Sequence, residues 1–146
     1  MKITLSIDSK ETIEIGHLDL ANIVNWLDDN EKYESFFFLL ADHPSSDVRC
    51  AVADKTNCPP RALKKLARDP SVEVVRTVAS NEHALKKLKL SLIQEMIGRD
   101  VSVAATIADY LHQVNEEIRE EVIQALLQHA DPKVVETAEN FKRELE

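Results

Sequence analysis

Four residues near the middle of the chain carry the donor atoms of a metal site: His43, Cys50, Cys58 and His83. Imidazole nitrogen and thiolate sulfur are ordinary zinc ligands, but structural zinc sites bring them in close pairs such as Cys-x-x-Cys. The intervals here are seven, eight and twenty-five residues, and none forms such a pair. Cys50 falls at a helical position that a small apolar residue would fill equally well, so both thiols are expected as packing groups. No metal and no other cofactor is expected.

Carboxylates are the second candidate. "NEEIREEVIQ" (115–124) sets Glu116 and Glu120, and Glu117 and Glu121, four residues apart. Paired carboxylates do acid–base work only where their surroundings drive their pKa values apart. A solvated face with acids near a helix start accounts for these four. The chain has two glycines and hence no phosphate-cradling loop, and neither G-x-S-x-G nor H-E-x-x-H occurs. Catalysis is not expected; an enzyme with a dispersed site is the third reading.

The strongest signal is cationic. Lys64–Lys65 and Lys86–Lys87 lie in two copies of one pentapeptide, "ALKKL" at 62–66 and 84–88, with Arg61, Arg68 and Lys89 beside them. If the copies stack in space, the doublets form a basic ridge fit for phosphates or an acidic protein surface. The surrounding charge selects between the two. Residues 1–54 hold 4 Lys/Arg against 11 Asp/Glu, residues 55–90 hold 9 against 3, and residues 91–146 hold 5 against 12. An acidic chain of net charge −8 with a basic waist repels long nucleic acid and favours a short acidic epitope on a protein. Nucleic-acid binding through the same ridge is the alternative.

These residues need elements to hold them. "KITLSIDSKETIEI" (2–15) alternates apolar and polar residues, which predicts two short strands turning around Asp8 to Lys10. From Leu18 the period changes: Leu20, Ile23, Val24 and Leu27 share one helical face. In "FFFLL" (36–40), consecutive helical residues sweep about 200°, so the three rings cannot share a face. A helix covered on two sides is expected, with the hairpin and the Trp26 helix as lid; a partner surface is the alternative.

Beyond this the chain is punctuated by proline. Pro59–Pro60 can open a helix, because proline at the first position loses an N–H with no partner there. Pro70 disfavours helical geometry at Asp69 and ends that segment. Ser71, Asn115 and Asp131–Pro132 mark further starts, Ser91 with Gln94 reads as a capping box, and Gly98 as a left-handed closing residue. "HPSSDVRCAVADKTN" (43–57) and "DPSVEVVRTVASNEH" (69–83) align without a gap at an offset of 26. Degraded Asp-led copies begin at 100 and 131. Such periods, with two short helices in each, imply a solenoid whose units depend on their neighbours.

"TNCPPRALKKLARDPSVEVVRTVASN" (56–81) resembles the leucine-rich repeat variant, a relative of the HEAT-like repeats. Pro59–Pro60, Leu63, Leu66–Ala67, Asp69–Pro70, Val74 and Val78–Ala79 carry the resemblance, which is good over about 43–90 and absent from the first 30 residues. It implies stacked helix pairs, and HEAT-like folds include DNA-binding enzymes. That family's cysteine-rich iron–sulfur segment has no counterpart here. The Val-Arg pair after the turn is clean at Val48–Arg49 but slips to Val75–Arg76, which leaves the structural arginine role to Arg49.

The expected molecule is mainly α: a single domain, 1–146, with a hairpin and two-helix cap (1–42) on a short α-solenoid of about four irregular repeats (43–146). The longest apolar run, "FFFLLA" (36–41), is far short of the ~20 residues of a membrane span. The N-terminal stretch fits neither a signal nor a transit peptide. A cytoplasmic, non-catalytic protein-binding module is expected, contacting its partner through Arg61, Lys64, Lys65, Arg68, Lys86, Lys87 and Lys89.

Overall fold

A computed structural model describes residues 1–145, the side chain of Ile7 apart. Strands β1 (Thr4–Ile7) and β2 (Glu11–Glu14) pair antiparallel, with Leu5 opposite Ile13. At their turn Asp8 and Ser9 take left-handed φ angles of 49° and 60°, the twist that short hairpin turns favour. Ten helices follow in the described residues: α1 (His17–Trp26), α2 (Glu34–Leu40), α3 (Ser46–Ala53), α4 (Pro60–Leu66) and α5 (Val72–Ser80). After them come the single turn α6 (Ala84–Lys87), then α7 (Leu90–Ile97), α8 (Val101–Asp109), α9 (Arg119–Leu127) and α10 (Pro132–Leu145).

The packing is solenoid-like. One row runs α1 on α3, α3 on α5, α5 on α8 and α8 on α10. Across it lie α2 beside α4, and α7 beside α9, with Arg68 in the turn after α4 joined to Glu95 of α7. Short helices persist because every one donates to a shared seam: Leu20 and Val24, Val48 and Val52, Val74 and Val78, Val103 and Ile107, and Val134 and Ala138 are all buried along the first row. None of the described helices is long and apolar enough to cross a membrane.

After α1, each helix of the first row opens with the same kind of turn. The Asp69, Asp100 and Asp131 carboxylates accept the backbone N–H two residues on, at 2.8, 2.8 and 2.9 Å, and His43 Nδ1 does so for Ser45 at 3.1 Å. These turns start α5, α8, α10 and α3. Pro60 stands at the first position of α4, as its missing N–H favours.

Several local expectations are corrected. Ser71 stands at the N-cap of α5, but its side chain makes no cap bond; its own N–H is instead donated to the Asp69 carboxylate. The Ser91–Gln94 capping box does not form, because α7 has already begun at Leu90. Gly98 has φ −74°, an ordinary right-handed value. Helix α1 packs on α3 at the end of the row with Leu20 and Val24 buried, but the Trp26 ring and the hairpin tip stay outside that contact. Ile3 and Ile15 at the hairpin base reach the core, while Leu5 and Ile13 nearer its tip are 55% and 59% exposed. Trp26 is 88% exposed, since it lies two residues, about 200°, from the inward Val24. Of the three phenylalanines, Phe37 is buried and Phe36 and Phe38 are half-buried flanks.

Candidate functional site

Helix α4 turns Ala62, Leu63 and Leu66 inward. The same spacing leaves Arg61, Lys64 and Lys65 on its solvent side, at i, i+3 and i+4, and exposed Arg68 follows in the turn just past its end. These four line a hollow of about 930 Å3 shared with Phe38 and Ala41 of the α2 end and the prolines Pro44 and Pro70. Asp42, His43, Arg49 and Asp69 complete its lining.

Three of the five cations there are already engaged. Arg49, nearly buried, forks onto Asp69 with Nε 2.6 Å from Oδ2 and Nη2 2.9 Å from Oδ1. Its Nη1 donates to the His43 and Pro44 carbonyls at 2.7 and 3.0 Å. The Asp69 carboxylate holds the Arg49 pKa above its usual value, so this charge is fixed. Arg49 thus ties the turn before α3 to the turn before α5, the structural part expected of it. Arg76, by contrast, lies on the surface beside Glu73. Lys65 pairs with Asp42. Arg68 and Glu95 form a fork with both contacts at 2.7 Å, which raises the Arg68 pKa and lowers that of Glu95.

Arg61 and Lys64 have no carboxylate at ion-pair distance among the described residues. The Arg61 guanidinium lies over the Phe38 ring, 4.9 Å from its centroid, and Lys65 Nζ is 5.7 Å from the same centroid. Phe38 therefore forms the floor beneath two cations, a cation–π arrangement that fixes their position. An arginine so held keeps its planar fork free for a carboxylate.

The second doublet does not join this hollow. Both copies of "ALKKL" share one burial pattern, with Ala62, Leu63 and Leu66 and then Ala84, Leu85 and Leu88 inside. The second copy, however, forms only the single turn α6, because Leu88 is extended (φ −87°, ψ 146°). Lys87 Nζ reaches back to the Thr56 carbonyl at 3.2 Å, Lys86 is exposed, and Lys89 sits just before α7. Arg61, Lys64, Lys65 and Arg68 line one hollow; Lys86, Lys87 and Lys89 are not part of its lining.

The other candidates resolve as follows. Cys58 is buried, which pushes its thiol up to about 12, and burial also raises half-buried Cys50. Both favour the neutral, unreactive thiol. Among the described residues no three His, Cys, Asp or Glu side chains are grouped closely enough to hold a metal ion. Glu116 and Glu117 lie in a 3-10 turn ahead of α9, so the expected four-residue pairing along one helix is broken there. Glu120 accepts from Gln124 at 2.8 Å and from Lys142 at 3.2 Å, and these two bonds lower its pKa.

Phe38, Asp42 and Pro44 escape a reading based on charge alone. Their signal lies in their position, immediately before the repeat that opens at His43. Lys55 and Asn81 were also missed, although they stand 26 residues apart in the aligned repeats. Each buried side chain holds carbonyls at the end of the preceding helix: Lys55 Nζ those of Asn25 and Leu27, Asn81 Nδ2 those of Ala53 and Lys55. No protein-family model, curated protein sequence or solved structure matches the chain.

Proposed function

We propose that the chain is a non-catalytic protein-interaction module of the cytoplasm, binding an acidic segment of a partner across the exposed face of α4. The observation that carries this is the pair Arg61 and Lys64, exposed and unpaired beside three cations that the fold has already neutralised. Exposed charge without an internal partner contributes little to folding, but it steers and orients an oppositely charged protein. Asp42 and Glu95, partly exposed beside the same face, place carboxylates in the path of a continuous phosphate backbone and disfavour it.

The test compares three proteins in a pull-down read by mass spectrometry: the full chain, Arg61→Glu/Lys64→Glu, and Lys86→Glu/Lys87→Glu. Acidic proteins captured by the full chain should be lost from the first variant and kept by the second, with thermal melts unchanged. Equal capture by all three removes the role of α4. Binding to random-sequence DNA that is lost in the first variant, and weakens steeply with salt, would replace the partner with nucleic acid.

A further inference from the structure

We propose that the hollow between α2 and α4 seats one apolar side chain of the partner segment, while Arg61 and Lys64 hold carboxylates that flank it. This rests on the protein-binding role proposed above and specifies what that face selects.

The hollow's floor and rim are apolar where its cations are not. Phe38, Pro44 and Pro70 contribute surface that makes no hydrogen bond with a ligand, so charge alone leaves that surface wet. At about 930 Å3 it lies within the ~300–1,000 Å3 range of ligand clefts, and it is open to solvent along α4. An open cleft of that size suits a chain segment that passes through and drops one side chain in. Apolar burial then supplies affinity, and the cations supply orientation.

The fixed charges set the register. Arg61 and Lys64 are three residues apart on one helical face, so their heads mark neighbouring points on one rim. Arg61 is held in place by Phe38 at 4.9 Å, which means that little side-chain freedom is lost when it meets a carboxylate. Asp42, paired with Lys65, stands on the hollow's wall and repels a carboxylate placed there. A partner acid is therefore directed to the Arg61–Lys64 rim and an uncharged side chain to the floor. A segment with acids alone leaves the floor unfilled, and one with an apolar residue alone leaves two cations unmatched.

A phage-displayed library of random peptides, panned against the full chain, tests this. Enriched peptides should carry Asp or Glu on either side of one Leu, Phe or Trp. Synthetic peptides of that consensus, measured by fluorescence anisotropy, should lose about tenfold or more in affinity on Arg61→Glu/Lys64→Glu. A comparable loss is expected on Phe38→Ser and on Pro44→Gln. Pro44 is exposed, so Pro44→Gln makes the rim polar without adding charge or opening the core, and it keeps the test valid if Phe38→Ser lowers the melting temperature. Acidic peptides without an apolar residue, indifferent to Phe38→Ser and Pro44→Gln, would overturn the anchor but leave α4 as the binding face. Peptides indifferent to all three variants would overturn both proposals, and a library that yields no enriched peptide overturns the anchor.

Discussion

His43 opens α3 with the turn that Asp69, Asp100 and Asp131 build for the later helices, but it uses a titratable ring in place of a carboxylate. Its Nδ1 is occupied as acceptor of the Ser45 N–H, and burial, followed by the nearby amino terminus, lowers its pKa from the ordinary 6.5. His17 and Arg49 add further positive charge around it. The sign follows from proton counting. Near pH 6.5 the unfolded chain takes up a proton that the folded chain refuses, so the unfolded state binds more protons and stability rises with pH. Acidification from pH 7.5 through 6.5, toward the lowered folded value, should therefore lower the melting temperature. His43→Asn keeps an acceptor for the Ser45 N–H and removes the titration. Its loss of melting temperature between pH 7.5 and 5.5 should be smaller than that of the unmodified chain. An equal loss in both proteins would show that other groups set the acid sensitivity.

At the scale of elements, the turns carry more of the fold than the helices' own propensities. Arg49 spans from α3 to the turn before α5, satisfying two carbonyls and a nearly buried carboxylate in one side chain. Removing one partner of a buried ion pair leaves the other charge uncompensated, at a cost of about 3–5 kcal/mol. Arg49→Ala is expected to destabilise the chain by that order, and Arg76→Ala, whose side chain meets only Glu73 on the surface, by under about 1 kcal/mol. Urea titration of both variants checks this; similar midpoints would remove Arg49 from its joining role. The difference between the two arginines was legible in the sequence, because the aligned copies place Val75 and not Arg76 opposite Arg49. Helix starts at Pro60 and Pro132 were legible for the same reason, since proline restricts the backbone wherever it stands. Ser91 misled because a cap depends on where the helix begins, and α7 starts two residues earlier than a serine cap at 91 requires. The repeated "ALKKL" misled more instructively. Identical letters gave identical burial, but Leu88 leaves the helix where Leu66 ends a full one, so the lysine doublets share no wall.

The whole molecule is a stack in which each helix packs only on those of its own and the adjoining units, and that arrangement makes stability local. Charge follows the same order along the row, acidic at both ends and basic between, so the cationic hollow is set between regions that resemble its proposed ligand. Like charge on the flanks keeps a bound acidic segment from sliding along the molecule, which is how a short site can select a short segment. The one-dimensional packing has a consequence that is independent of binding. Val134 is buried where α10 lies on α8 and α9, far along the row from α1 and α3. Val134→Ala deletes two buried methyl groups and should cost roughly 1–3 kcal/mol. In a stack governed by nearest-neighbour contacts, that loss is felt first by the adjoining units. Amide hydrogen exchange should therefore quicken in α8, α9 and α10 while α3 keeps its protection, because α3 can stay folded on α1 and α5 when the far end opens. A uniform loss of protection from α1 to α10 would mean that the helices open together as one unit, and the row would then be a cooperative body in which a change at any helix reaches the α4 face.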